Sequence, residues 1–90
     1  MQYTNEKSLQ LRKALGDLIK NKREEQKLSG LKFANSYDIN DSNLGKIERA
    51  ETDCKLVTLW KIAEALGIPL SELILALENK LGKDFKLIDE

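Results

Sequence analysis

The sequence predicts an all-α fold of five helices with a short C-terminal tail. Apolar residues recur at helical spacing along most of the chain. Glycine and proline fall where those stripes stop and start. No run alternates long enough to make a convincing strand.

The first helix is expected over 7–27, with Leu11, Ala14, Leu15, Leu18 and Ile19 on its buried face. Ser29 can cap a second helix near 29–36, whose apolar positions are Leu31, Phe33, Ala34 and Tyr37. Ile39 follows as a buried turn residue. Asn40 can cap a third helix over 40–49, with Leu44 and Ile47 facing the core. A polar connection, Glu51 to Lys55, leads to a fourth helix over 56–66 carrying Leu56, Leu59, Ile62, Ala63 and Leu66, and Gly67 is its stop. Pro69 suits the start of a fifth helix over 70–81, which carries Leu70, Leu73, Ile74, Leu77 and Leu81 and ends at Gly82. Trp60 lies just off the fourth stripe, at the core edge or at a subunit contact. The residues KDFKLIDE form a frayed tail or a short strand. The chain reads as one domain over 1–90, with its core in 11–81 and a tail over 82–90.

Composition excludes much. Cys54 is the single cysteine and there is no histidine, which rules out an intrachain disulfide and a cysteine–histidine metal cluster. No glycine-rich phosphate loop or nucleophile motif is present. We therefore expect no enzyme, no cofactor and no metal. There is no signal-like run, and no stretch approaches the roughly 20 apolar residues of a membrane span. A cytoplasmic protein without a membrane partner is expected.

Lysine plus arginine equal aspartate plus glutamate, at 15 each, but the charge is uneven. Residues 12–32 are basic, with Arg12, Lys13, Lys20, Lys22, Arg23, Lys27 and Lys32. Residues 38–53 are acidic, with Asp38, Asp41, Glu48, Glu51 and Asp53 against Lys46 and Arg49. That acidity opposes tight binding to arbitrary DNA, because phosphate neutralisation supplies much of such affinity.

Residues 28–50 nevertheless read as two short helices joined by a tight turn, the unit that sets a recognition helix in the DNA major groove. Asn40, Asp41, Ser42, Asn43 and Lys46 are the positions placed to face base edges. Asparagine pairs in bidentate fashion with adenine, lysine donates to guanine, and aspartate accepts only from cytosine. Asp41 has an equally good reading as a helix-start acid favoured by the dipole. Phosphate contacts are expected from the Gly30 N–H, Lys32 and Arg49, with Asn40, Lys46, Thr52 and Lys55 as further candidates.

The order of these signals resembles the Xre/Cro-like helix-turn-helix family, typified by phage repressors. The matching pieces run from Leu15 to Leu73. They are Leu15, Gly16 and Ile19; Arg23; Leu28 and Ser29; Phe33 and Ala34; Ile39; Leu44, Ile47, Glu48 and Arg49; Leu56, Thr58 and Leu59; and the runs KIAEALG and LSEL. The resemblance implies a bundle of the phage-repressor DNA-binding-domain type. It also implies a structural pair between Arg23 and Glu48. The chain departs from the family at Gly30, where glutamine is usual, and at Asp38 and Ala50, where glycine is usual. Gly45 stands within the recognition helix.

Two functions stay open. One is a transcriptional regulator, such as a repressor, that binds double-stranded DNA as a homodimer on a palindromic operator and controls its own transcription. The other is a protein-interaction or antitoxin-like module with a protein partner and weak or absent DNA binding. The apolar excess of the fifth helix places the expected dimer contact at Leu73, Ile74, Leu77 and Leu81, extended by the tail.

Overall fold

The structure, a computed structural model, describes residues 5–36 and 39–88, and of residues 5, 31, 34, 36 and 41 the backbone alone. The roles expected of Tyr37 and Asp38, and the side chains of Leu31, Ala34 and Asp41, lie outside the described residues.

The described residues are all-α, with no strand. The helices are α1 (Asn5–Glu25), α2 (Gly30–Ser36), α3 (Asp41–Glu48), α4 (Leu56–Leu66) and α5 (Leu70–Leu81). The last two match their apolar stripes to the residue. The ends of α1 and α3 do not, for one shared reason.

α1 stops at Glu25 rather than Lys27 because Lys27 takes a left-handed φ of 60°. There the Lys27 N–H donates to the Glu24 carbonyl (2.9 Å) and the Leu28 N–H to the Arg23 carbonyl (3.2 Å). This is the Schellman closure, which satisfies the last carbonyls of a helix. α3 closes in the same way at Ala50, φ 62°, with bonds from Ala50 to Ile47 and from Glu51 to Lys46. α4 does so at Gly67, φ 77°, with bonds from Gly67 to Glu64 and from Ile68 to Ala63. Only the third uses the residue that adopts this conformation without a Cβ penalty.

α1 is the spine. It packs against α3, α4 and α5, while α2 packs on α3 and α4 on α5. Phe33, Ile19, Leu44, Ile47, Ile62 and Leu73 are fully buried at the centre. Leu56 is a correction to the fourth stripe. It opens α4 beyond the core edge and is 64% exposed.

Gly16 sets the closest approach of α1 to α3. A Cβ built there would lie 2.6 Å from the carbonyl oxygens of both Ile47 and Glu48. No side chain fits between the two backbones.

Residues 82–88 form a turn and bends, not a strand. The Phe85 N–H donates to the Gly82 carbonyl at 3.2 Å, and the Lys7 ammonium sits 5.5 Å from the centre of the Phe85 ring. The tail therefore folds back over the start of α1.

Candidate nucleic-acid interface

The position of α3 is set by one ion pair. Arg23 Nε–H donates to Glu48 Oε2 at 2.8 Å and its Nη2 donates to Oε1 at 3.0 Å, while Nη1 donates to the Leu28 carbonyl at 2.7 Å. Both side chains are only 10% exposed. The hydrogen bonds to Glu48 raise the Arg23 pKa above its already high ordinary value, against the opposing effect of burial. The pair fastens the end of α1 to the end of α3 and to the chain entering α2. Such a pair gives little net stability, since desolvation offsets it, but it specifies one arrangement and makes loss of either partner costly.

The starts of the two short helices are capped by side chains. Ser29 Oγ accepts from the Lys32 N–H at 3.2 Å. Asn40 Oδ1 accepts from the Asn43 N–H at 2.9 Å. That cap bears on the expected base contact at Asn40. Bidentate pairing with adenine needs both ends of the carboxamide, and here the oxygen end is committed to the helix.

With Leu44 and Ile47 buried, the opposite face of α3 presents Ser42 and Lys46 to solvent and leaves Asn43 half-buried. A helix sets residues three and four apart on one face, so these side chains are neighbours. Lys32 is exposed at the start of α2, and Gly30 is half-buried.

Arg49 is engaged within the chain. Its Nε–H donates to Glu51 Oε2 at 2.7 Å, and Nη2 lies 3.4 Å from Oε1. The hydrogen bond to Arg49 holds the Glu51 carboxyl below its ordinary value. Gly45 has a local reason here, because a Cβ at that position would lie 2.9 Å from Arg49 Nη1. The missing side chain gives the guanidinium room to lie against α3.

Part of the acidity of residues 38–53 is thus compensated inside the fold. The described acidic side chains of that segment each face an arginine. Glu48 meets Arg23, Glu51 meets Arg49, and Asp53 Oδ1 stands 3.9 Å from Arg12 Nε. Lys32, Lys46 and Lys55 are exposed and enter none of these pairs. The Arg23–Glu48 pair is the one the family resemblance implies. Sequence reasoning missed the Arg12–Asp53 approach because the two residues lie far apart along the chain. It also missed Gln26, whose Nε2 donates to the Leu66 carbonyl at 2.8 Å and ties α1 to the end of α4.

Two of the four residues expected at a dimer contact are covered within the chain itself. Leu73 is fully buried and Leu77 is 8% exposed, because α5 lies against both α1 and α4. Ile74 and Leu81 are half-buried at the core edge. The exposed apolar residues on this side are Val57, Trp60 and Leu75. Trp60, Ile74 and Leu75 line a groove between α4 and α5 with Ile68, Pro69 and Leu70, and Glu64, Ser71 and Glu78 complete its lining.

Among the described residues no cluster of histidine, cysteine, aspartate or glutamate could hold a metal. No described helix is long and apolar enough to cross a membrane.

Comparison with known proteins agrees with this geometry. Over 64 residues the chain is 34% identical to the HTH-type transcriptional regulator SutR of Escherichia coli (strain K12). That stretch is 71% of this chain but 36% of SutR, so the chain spans about a third of that relative's length. A solved HTH_3 family transcriptional regulator from Vibrio cholerae is 29% identical, with a TM-score of 0.69 over 76% of this chain and 38% of the other. The clp gene regulator ClgR from Corynebacterium glutamicum shares the fold, with a TM-score of 0.72 at 19% identity over 82% of this chain and 96% of ClgR. The helix-turn-helix family HTH_3 matches residues 19–73, from the middle of α1 through α2, α3 and α4 to the first turn of α5, and the chain belongs to that family.

Proposed function

We propose that this chain is a sequence-specific DNA-binding transcriptional regulator. It acts as a homodimer on a palindromic operator, and autoregulation as a repressor in the cytoplasm fits that role. The observation that carries the reading is the outer face of α3. Ser42, Asn43 and Lys46 stand on a helix locked to α1 by the Arg23–Glu48 pair, and Glu48 and Glu51 each face an arginine. A locked helix keeps base-reading side chains in register at little entropic cost on binding. The HTH_3 family and the names of the relatives support the same role.

A single recognition helix reads too few base pairs for useful specificity, so a two-fold dimer with half-sites about 34–36 Å apart is the expected form. The contact lies in the α4–α5 groove, where Trp60 is 53% and Leu75 56% exposed. Tryptophan is enriched in such contacts.

The Arg49–Glu51 pair favours a second reading, a protein-interaction or antitoxin-like module, because it holds a cation otherwise suited to phosphate. A gel shift with DNA from upstream of the chain's own coding region separates the two. The regulator retards that DNA selectively as a dimer, and the interaction module does not.

A further inference from the structure

A second candidate site lies away from α3. The residues lining a cleft of about 390 Å³ come from α1, the α3–α4 connection, α4 and α5. Four leucines, Leu11, Leu15, Leu59 and Leu77, give it apolar walls, and Arg12, Asp53 and Cys54 complete the lining. Its size falls within the range of small-molecule sites, roughly 300–1,000 Å³.

Arg12 is the unusual member. Its Nε is buried and has no hydrogen-bond partner among the described residues. Buried donors are almost always paired, so an orphaned one needs an explanation. The nearest acid does not supply it. Asp53 Oδ1 is 3.9 Å away, beyond hydrogen-bonding distance, and the Asp53 side chain is 85% exposed.

We infer that this cleft binds a small aliphatic carboxylate, whose carboxyl group accepts from the Arg12 guanidinium while its chain lies against the four leucines. A carboxylate suits the planar fork of arginine better than a neutral group does. Cys54 does not oppose an anion. Its thiol donates to the Lys55 carbonyl at 3.6 Å, and burial pushes its pKa up to about 11, so it stays neutral. Asp53 does oppose one, because it competes for Arg12. An occupied cleft therefore loosens the hold of α1 on the connection after the recognition helix. Any effect of this on DNA binding rests on the function proposed above, but occupancy of the cleft does not.

The test is calorimetric titration of the full chain with sodium hexanoate and, separately, with hexan-1-ol, without DNA. Hexanoate should bind saturably at one site, with hexanol at least about tenfold weaker, because it forgoes the charge-assisted bond. Arg12→Gln should weaken hexanoate about tenfold or more, and Asp53→Asn should tighten it. If Arg12→Gln does not fold, the Asp53→Asn variant and the contrast between the two probes decide. Hexanoate binding that fails to saturate, that only equals hexanol, or that neither substitution changes would overturn the assignment.

Discussion

Replacing Gly16 by alanine tests how α3 is positioned. In an ordinary helix interior this substitution stabilises by up to about 1 kcal/mol. Here the new Cβ would stand 2.6 Å from the carbonyl oxygens of Ile47 and Glu48. Real Cβ contacts essentially never fall below 3.0 Å, so α3 must retreat by at least 0.4 Å. The obstacle is backbone on both sides, and neither helix can yield by a rotamer change. Overpacking of this kind costs about 1–3 kcal/mol, and rigid surroundings place it at the upper end. The retreat also stretches the Arg23–Glu48 bonds, which are already near their best length at 2.8 and 3.0 Å. After the helix-propensity gain, the net loss should be about 2 kcal/mol. For a domain of this size that lowers Tm by about 10 °C. Urea unfolding followed by far-ultraviolet circular dichroism should show a lower midpoint with an unchanged slope. Gly45→Ala is the control. Its Cβ meets Arg49 Nη1 at 2.9 Å, the movable end of a long side chain, so that variant should be at least as stable as the parent. A Gly16→Ala protein as stable as the parent would refute the reasoning.

The remaining stability predictions concern single contacts. Arg23→Ala and Glu48→Ala should each cost about 3 kcal/mol, and a double-mutant cycle should show the pair losing less than the sum; strict additivity would mean the two do not interact. Lys27→Gly should stabilise by a few tenths to about 1 kcal/mol, since relief of the left-handed Cβ penalty outweighs the added freedom of the unfolded chain; a lower urea midpoint would count against the strained closure of α1. Cys54 should react slowly with iodoacetamide at pH 8 in the folded state, with half-maximal reactivity near its pKa of about 11. The sign follows from its neutral form being favoured by folding: the stability contribution is present below the unfolded thiol pKa and is lost as pH rises toward 11. A native thiol that titrates at the ordinary value would show that the site is open to water.

How much of this was legible beforehand depends on the kind of signal. α4 and α5 were readable to the residue because their leucine and isoleucine repeats are bounded by Gly67, Pro69 and Gly82. The ends of α1 and α3 were not, because the left-handed residues that stop them are Lys27 and Ala50, whose side chains announce nothing of the kind. The acidity of residues 38–53 misled for a related reason. Charge read along the chain misses pairs that exist only in space: Arg12 with Asp53 went unseen, and Arg23 with Glu48 was legible only through the family resemblance. The apolar stripe of α5 suggested more exposed surface than there is, because a stripe does not say how many helices will cover it, and α1 and α4 together cover Leu73 and Leu77. Gly16 was noticed as part of a pattern, but its role depends on two carbonyls more than thirty residues away.

The central claim is that the outer face of α3 reads DNA. Fluorescence anisotropy with labelled DNA from upstream of the coding region, over a salt series, tests it most directly. The account predicts saturable binding that exceeds binding to a scrambled duplex, with Leu75→Glu weakening both dimer and complex. Lys46→Ala should weaken binding and shallow the log–log salt slope by about one if it meets a phosphate. Asn43→Ala should instead reduce the preference for the specific duplex. Equal affinity for specific and scrambled duplexes, unchanged by Lys46→Ala and Asn43→Ala, would contradict the account.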